Sequence, residues 1–278
     1  MVFQLGWFST GRDEAARGLL EVVMDHISEG TIPAEIAYAF CNRGKGEALE
    51  SDRFIQFVEA LGIRPLLFSS KAFLPSLRER DRETWRVRYH QEVKKRIRDY
   101  PTDAIVLAGY MLIVSQPLCE AFSIINLHPA EPGGPKGTWQ EVIWELIRRR
   151  AFRTGVMIHL VTKDLDEGPP ITFATFPIQG PGFDPLWRDF DLKLRHRTFA
   201  QISQEEGESN LLFKEIRDQG IRRELPLIVM TLKALAEGRV RIDKGKVLDE
   251  RGKEIAGICL NQEVEEGLLK QAPDSKHQ

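Results

Sequence analysis

A chain of 278 residues can bury a large core, either as one α/β domain or as one domain with an appendage. Its formal net charge of −2 and isoelectric point near 6.4 argue against general binding to nucleic acids or membrane surfaces, so neither partner is expected. Three cysteines without metal-ligand spacing predict neither a disulfide framework nor a metal site. No segment reaches the roughly 18 apolar residues of a membrane span, and the N-terminus lacks a basic leader, so a cytoplasmic location is expected.

Short apolar segments alternate with helical patterns in the first half of the chain. The predicted strands are residues 2–8, 35–41, 64–68 and 104–109, and helical patterns lie around residues 19–27, 52–61 and 82–98. The last of these strands, Ala104 to Gly109, is an unbroken apolar run, as in strands buried on both faces. The alternation predicts an α/β, Rossmann-like fold with an open, mostly parallel sheet and helices on both faces.

The second half mixes clear patterns with a weak one. The predicted elements are a short strand from residue 124, a helix at 138–150, strands at 155–161 and 171–178, a helix ending at 238 and a terminal hairpin. The two strands separated by only a turn-rich loop are predicted to be an antiparallel pair. One domain is predicted over residues 1–250, with an irregular insertion at about 180–210 that contains one short helix. Residues 251–278 are predicted to be a partly disordered tail.

The segment from Ile124 to Pro135 joins a short apolar run to a loop rich in proline and glycine. Asn126 and His128 stand two residues apart in this run, and in an extended chain they face the same side. An amide can donate a hydrogen bond to a developing oxyanion, and an imidazole can carry a proton near neutral pH. The spacing indicates a catalytic pair. The structural alternative is that Asn126 caps the loop and His128 is simply buried.

Two other segments favour ligand binding, and each has a plain alternative. Gly11 turns the first strand into a helix, whose N-terminus offers N–H groups and a positive dipole end to a phosphate. The same glycine also suits an ordinary connection. Residues Tyr110 to Val114 follow a buried strand, at the carboxyl end where ligands bind in such sheets. Core packing is the alternative for this segment.

Several blocks of the chain resemble the folate-dependent formyltransferases. In chain order they are Asp81-Arg82-Glu83, Val106 to Met111, Asn126-Leu127-His128-Pro129, His159 to Thr162, Asp164 to Pro169, and Leu225 to Ile228 with Gly238-Arg239. Their joint order is specific, and the resemblance covers roughly residues 2–178 and 213–250. It implies an enzyme that transfers a formyl group from 10-formyltetrahydrofolate, its cosubstrate, to a small-molecule primary amine.

The resemblance implies catalytic roles for Asn126, His128 and Asp166. Asn126 is expected to donate to the oxyanion of a tetrahedral intermediate, and His128 to add positive charge and pass a proton to the leaving nitrogen. Asp166 is expected to oppose the charge of His128, and to order a water or take a proton from the attacking amine. Asp164 is the alternative carboxylate, and a turn residue is the structural alternative for Asp166. A structural role is favoured for His159.

The same resemblance divides the binding residues between donor and acceptor. Those implied for the donor are Arg82, Met111, Leu112, Ile113, Val114, Asn126, Val161 and Thr162. Those implied for the acceptor are Thr10, Gly11, Arg12, Leu127 and Pro129. The guanidinium of Arg82 suits a carboxylate or a carbonyl edge, and a solvated charge at a helix start is the alternative. Leu112 replaces a family arginine, but binding there is expected through backbone groups.

Departures from the family concern the acceptor. The glycine- and asparagine-rich phosphate loop of the family is here Ser9 to Glu14, in which Arg12 adds a positive charge and Asp13 a negative one. The loop after His128 also differs. Glycinamide ribonucleotide, a phosphorylated acceptor of de novo purine synthesis, is the first choice. The alternatives are another amine, such as an amino sugar, and a non-catalytic protein that binds folate or a nucleotide.

Overall fold

A computed structural model describes residues 2–164 and 166–271 of the chain. Its main feature is an eight-stranded sheet with the strand order β10-β7-β6-β5-β4-β1-β2-β3. The strands are β1 (Phe3–Ser9), β2 (Ala34–Cys41), β3 (Pro65–Leu67), β4 (Ala104–Leu107), β5 (Ile124–His128), β6 (Arg153–Leu160), β7 (Pro170–Pro177) and β10 (Ile258–Cys259). A separate antiparallel pair consists of β8 (Val240–Asp243) and β9 (Lys246–Asp249). The predicted terminal hairpin is therefore confirmed.

Helices connect most of the strands. They are α1 (Glu14–Ser28), α2 (Leu49–Ala60), α3 (Pro75–Arg80), α4 (Arg82–Ile97), α5 (Gln116–Cys119), α6 (Trp139–Arg148), α7 (Asp184–Leu194), α8 (Phe199–Glu206), α9 (Leu211–Ala236) and α10 (Asn261–Gln271). In the part of the chain that the structure describes, no helix is long and apolar enough to cross a membrane.

The first half of the sheet is parallel, as the alternation of strands and helices predicts. β1 pairs in parallel with both β2 and β4, β2 with β3, and β4 with β5. Right-handed crossover helices are the usual way to join such strands. The apolar run before Gly109 is a central strand, and three of its four residues are buried.

The loop at residues 161–169 reverses the chain, as its turn-rich sequence predicts. Near the loop the N–H of Leu160 donates to the carbonyl of Pro169 at 3.0 Å, and at the far end the N–H of Ile178 donates to the carbonyl of Phe152 at 3.0 Å. The partner number rises as the residue number falls, so β6 and β7 run antiparallel. The sheet is mixed but mostly parallel, and the predicted fold class is confirmed.

The irregular insertion predicted at residues 180–210 is wrong, because this segment contains two helices. Pro185 stands in the first turn of α7, where its fixed backbone angle suits a helix start. Thr198 and Gln201 form a capping box at the start of α8. Trp187 and Phe190, which look scattered in the sequence, lie three residues apart on one buried face of α7. Their spacing of three residues is close to one helical turn, and this is the sequence signal for α7.

In the predicted tail, which was expected to be partly disordered, residues 258–271 contain β10 and α10. β10 pairs in parallel with β7, and α10 follows it directly. The side chain of Asn261 accepts a hydrogen bond from the backbone N–H of Thr175 at 2.7 Å, which holds the start of this helix to β7. Residues 272–278 lie outside the described part of the chain. The preceding helix α9 also begins at Leu211, earlier than the face from Ile221 that the sequence indicates.

Contacts divide the chain into two compact units. Of the described residues, the first unit contains those within 1–126, 159–169 and 232–256, and the second contains those within 127–158, 170–231 and 257–278. The first unit has an aromatic core around Phe8, Tyr38, Phe40, Trp85 and Tyr89. The second unit has its own apolar core, built from helix residues such as Val142, Ile143, Trp187, Phe190 and Phe213.

Candidate active site

A cavity of about 190 Å³ lies within the first unit, at the carboxyl ends of β4 and β5. Seven of its lining residues are predicted site residues: Met111, Leu112, Ile113, Asn126, Val161, Thr162 and Asp166. The others are Leu107, Tyr110 and His159. The cavity therefore brings together two of the three predicted catalytic side chains and most of the predicted donor-binding segment.

The cavity wall formed by residues 110–113 is held by hydrogen bonds from the β1–α1 loop. Gly109 ends β4 with a φ of 70°, a left-handed conformation that glycine adopts without strain. The N–H of Thr10 donates to the carbonyl of Gly109 at 3.1 Å, and the hydroxyl of Thr10 accepts from the N–H of Met111 at 2.9 Å. The side chains of Met111 and Ile113 are 54% and 43% exposed, which leaves apolar surface available at the cavity mouth.

Asn126 reaches the cavity from the carboxyl half of β5. It is the register partner of Leu107, which lines the same cavity from β4. The strand is held on its other side by the N–H of Val161, which donates to the carbonyl of Ile124 at 2.7 Å. A side chain on a central strand of a parallel sheet is held rigidly, which suits an oxyanion donor that must be placed before the reaction.

The loop that carries Asp166 requires glycine at residue 168. A Cβ built on Gly168 would lie 1.6 Å from the carbonyl oxygen of Leu160, so any side chain would push the loop away from β6. Asp166 itself has a φ of 54°, which is uncommon for a residue other than glycine, although aspartate tolerates it better than most. Its side chain is 12% exposed. Backbone held in such a conformation is often found at functional sites.

His159 stands next to Asp166, although the sequence favours a structural role for it. Its Nδ1 lies 3.1 Å from the carbonyl of Leu160, so Nδ1 carries a proton and donates. Its Nε2 then lies 3.7 Å from Oδ1 of Asp166. The ring is 1% exposed and lines the cavity. No local sequence pattern specifies this pair, because it depends on how the loop closes around Gly168.

A second depression of about 500 Å³ adjoins the cavity within the first unit. Its lining residues are Gln116, Cys119, Glu120, Leu160, Val161, Thr162, Lys163, Lys244 and Gly245. Val161 and Thr162 line both spaces. The β8–β9 turn at Lys244 is remote in sequence from every predicted site residue, so no local pattern could have identified it. We call this depression the side groove.

Side chains of the predicted phosphate loop make contacts with one another and with the N-terminus of α1. Asp13 caps α1, with Oδ1 accepting from the N–H of Ala16 at 3.2 Å, so part of the helix N-terminus is already satisfied by a carboxylate. Arg12 is exposed and pairs with Asp13 at 3.3 Å. Gly11 has a φ of 59°, and Thr10 is 2% exposed. Among the residues of this loop that are predicted to bind the acceptor, Arg12 therefore presents a charged group to solvent.

His128 belongs to the second unit, where it is 3% exposed. Its Nε2 lies 3.1 Å from the carbonyl of Pro135, and because a carbonyl only accepts, Nε2 carries a proton. The loop after His128 therefore turns back to orient the imidazole, helped by a turn in which the N–H of Gly134 donates to the carbonyl of Glu131 at 2.8 Å. The predicted acceptor residues Leu127 and Pro129 flank this histidine and are half-buried.

Two predicted donor residues lie outside the cavity lining. Arg82 is exposed in the first turn of α4, beside the capping residue Asp81. Val114 is 5% exposed and packs in the aromatic core of the first unit. Both positions suit the structural alternatives, a solvated charge for Arg82 and core packing for Val114. Among the described residues, no group of three or more acidic, histidine or cysteine side chains is arranged to hold a metal ion.

Comparison with known proteins identifies the family. The model of the formyl transferase family matches residues 18–181. The chain belongs to the formyl transferase family. It is 30% identical over 168 residues to a phosphoribosylglycinamide formyltransferase of Schizosaccharomyces pombe, covering 57% of this chain and 77% of that one. A phosphoribosylglycinamide formyltransferase of Haemophilus influenzae is 27% identical over 165 residues, with 57% and 68% of the two chains covered.

Solved structures show the same fold. The phosphoribosylglycinamide formyltransferase of Coxiella burnetii matches with a TM-score of 0.62 and 19% identity, over 93% of this chain and 99% of that one. The matched family region contains all three predicted catalytic residues and ends near the start of α7. Helices α7 and α8 therefore lie beyond the family match.

Proposed function

We propose that this formyl transferase moves the formyl group of 10-formyltetrahydrofolate to the amino group of glycinamide ribonucleotide, in purine synthesis. The observation that carries the proposal is the cavity lined by Asn126, Asp166 and the wall at residues 110–113. The names of the relatives support the choice of acceptor. They do not favour the two alternatives, an amino-sugar acceptor and a non-catalytic binding protein.

The spaces within the first unit fit a folate donor. Ligand pockets for drug-sized molecules usually measure about 300–1,000 Å³, so the cavity of about 190 Å³ can hold only part of this donor. The side groove of about 500 Å³ shares Val161 and Thr162 with it, and the two together are large enough. The formyl end must lie in the cavity, because Asn126 and Asp166 are there. Leu112 then contributes backbone and apolar contacts.

The reaction requires an oxyanion donor and two proton transfers. The acceptor nitrogen attacks the formyl carbon, the carbonyl oxygen becomes negative, and the side-chain N–H of Asn126 stabilises it. Such a contact is worth about 2.7–4 kcal/mol in other acyl-transfer enzymes. Asp166 takes the proton that the attacking nitrogen loses, directly or through water. The bond from the formyl carbon to the folate nitrogen then breaks, and tetrahydrofolate leaves.

His128 supplies the proton for that leaving nitrogen. It stands two residues after Asn126 on the same strand, and alternate residues of a strand share a side. Its Nε2 donates to the carbonyl of Pro135, which orients the ring, and the proton that it supplies is that of the imidazolium form.

Arg12 is the residue proposed to meet the phosphate of the acceptor. Its guanidinium is 60% exposed and has a fork of donors suited to phosphate. Leu127 and Pro129 would contact the remainder of the acceptor. Asp13 opposes this charge, so the loop is expected to bind phosphate less tightly than a loop of neutral donors would.

The test is a comparison of acceptors at saturating 10-formyltetrahydrofolate. Glycinamide ribonucleotide and glucosamine 6-phosphate both carry a primary amine and a phosphate. A difference in kcat/KM between them therefore reports recognition of the remaining part of the acceptor. We expect kcat/KM to favour glycinamide ribonucleotide by at least tenfold, about 1.4 kcal/mol of transition-state stabilisation. Equal values, or a preference for the amino sugar, would move the assignment to another amine. Arg12→Gln should raise KM for glycinamide ribonucleotide without raising that for the donor.

A further inference from the structure

One fully buried histidine of the first unit has no part in the reaction described above. His90 lies on α4 and is 0% exposed. Its Nε2 is 3.2 Å from the hydroxyl of Tyr110, and its Nδ1 is 3.1 Å from the hydroxyl of Ser115. The backbone N–H of Ser115 also donates to Nδ1, at 3.2 Å. A single imidazole therefore contacts both ends of the 110–115 segment.

The hydrogen-bond pattern determines the tautomer. A backbone N–H only donates, so Nδ1 of His90 must accept from Ser115, and the ring proton is on Nε2. Nε2 then donates to the hydroxyl of Tyr110. Burial, with a smaller effect from the nearby charge of Arg86, lowers the pKa of His90 to about 4, so the ring is neutral at physiological pH.

The contacted segment is the wall of the cavity. Tyr110 lines the cavity directly, and Ser115 precedes the first residue of α5. Between them lie Met111, Leu112 and Ile113, which also line it. We propose that His90 is a positioning residue for the formyl donor, holding the 110–115 segment in its binding conformation through Tyr110 and Ser115. This inference rests on the proposed function, because it assigns this segment to the donor.

A residue that fixes the cavity wall is useful because the wall is a short irregular segment. A short irregular segment with exposed apolar side chains loses conformational freedom when a ligand orders it, and this loss weakens binding. Contacts that fix the segment beforehand remove the loss. An apolar residue in place of His90 would fill the same space in the core, but it would leave the Tyr110 hydroxyl and the Ser115 N–H without this partner. The polar side chain therefore contributes more than packing.

Matched variants separate the two contacts. His90→Leu removes both, His90→Asn keeps an acceptor for Ser115 but cannot reach Tyr110, and Tyr110→Phe removes one hydroxyl. The exposed His196 provides a control, His196→Leu, in the second unit. The measurements are the dissociation constant for 10-formyltetrahydrofolate by calorimetry, KM for glycinamide ribonucleotide at saturating donor, and the midpoint of urea unfolding.

We expect His90→Leu to raise the dissociation constant for the donor about tenfold and Tyr110→Phe to raise it by less, because a net hydrogen bond is worth about 1 kcal/mol. KM for the acceptor should stay within about twofold in each variant, and His196→Leu should change nothing. The double variant His90→Leu/Tyr110→Phe should bind the donor about as well as His90→Leu alone, because the two residues act through one contact.

Three results would overturn the inference. They are an unchanged donor dissociation constant in both His90→Leu and Tyr110→Phe, an equal rise in KM for the acceptor, and fully additive effects in the double variant. If His90→Leu does not fold, Tyr110→Phe alone decides by the same donor measurement. Wild-type protein that binds no donor would overturn the proposed function together with this inference. Wild-type protein that binds the donor, with variants that bind it equally well, would overturn this inference alone.

Discussion

The hydroxyl of Thr10 accepts a hydrogen bond from the N–H of Met111 at 2.9 Å, so the β1–α1 loop and the cavity wall form one block. The family resemblance implies that Thr10 contacts the acceptor and Met111 the donor. Because Thr10 is 2% exposed, its side chain serves this internal contact. Loss of the Thr10 hydroxyl is therefore expected to affect the donor site.

Thr10→Val tests that connection. Valine matches threonine in shape but leaves the Met111 N–H without its acceptor, at a cost of about 1 kcal/mol for a part-buried group. We expect the free energy of unfolding in urea to fall by that amount and KM for the donor to rise several-fold. Thr10→Ser, which keeps the hydroxyl, should retain nearly wild-type values. Loss of acceptor binding alone in Thr10→Val would show that the two segments are not coupled.

Gly168→Ala should displace Asp166 from the cavity. The new Cβ would lie 1.6 Å from the carbonyl oxygen of Leu160, so the loop must move. We expect kcat to fall by at least tenfold while the circular dichroism spectrum is retained, because the clash is confined to one loop. Gly182→Ala is the control, since nothing lies within 4 Å of the Cβ that it adds. A fully active Gly168→Ala would mean that the loop conformation is not required.

Asp13→Asn should improve recognition of a phosphorylated acceptor. Asparagine caps a helix about as well as aspartate, so the stability of α1 is retained while a negative charge beside Arg12 is removed. We expect KM for glycinamide ribonucleotide to fall by roughly twofold, in keeping with exposed charge interactions of 0.2–1 kcal/mol. The gain should shrink at high salt. An unchanged or higher KM would argue against a phosphate site at this loop.

His90 should make the protein sensitive to mild acid. Its pKa is about 4 in the folded chain and about 6.5 when unfolded, so below pH 6.5 the unfolded chain binds the extra proton. Stability should therefore fall as the pH drops, by about 2 kcal/mol from this residue between pH 7 and pH 5. His90→Asn should lose that part of the pH dependence. Urea unfolding of the wild type and of His90→Asn at pH 7 and pH 5 measures the free energy of unfolding. An equal fall in this free energy for the two proteins would contradict the prediction.

Much of the parallel sheet is predictable from the sequence because it depends on local patterns. The run before Gly109 and the alternation of strands and helices specify buried parallel strands. The region at 180–210 was predicted wrongly because its helices are short and their aromatic residues look isolated until they are placed on a helix face. Trp187 and Phe190 illustrate this, since neither is part of a long apolar period.

In the candidate site, too, residues in local motifs are predictable from the sequence and residues brought together by the fold are not. Asn126 and Asp166 are predictable because they stand in motifs with a fixed order, and the structure brings them to one cavity. Tyr110 belongs to a segment for which the sequence leaves ligand binding and core packing open, and it lines the cavity. Lys244 could not be assigned from the sequence, because it reaches the side groove from a distant hairpin. The pairing of His159 with Asp166 depends on loop closure around Gly168, which spacing alone does not specify.

The most direct test of the proposed reaction is the release of tetrahydrofolate from 10-formyltetrahydrofolate, with and without glycinamide ribonucleotide, for the wild type and for His128→Ala. We predict rapid release that depends on the acceptor in the wild type and a loss of roughly 100-fold or more in His128→Ala, since proton transfer contributes about 10²–10⁴-fold. Acceptor-independent release would indicate hydrolysis. Wild-type activity in His128→Ala would contradict the central role of this histidine.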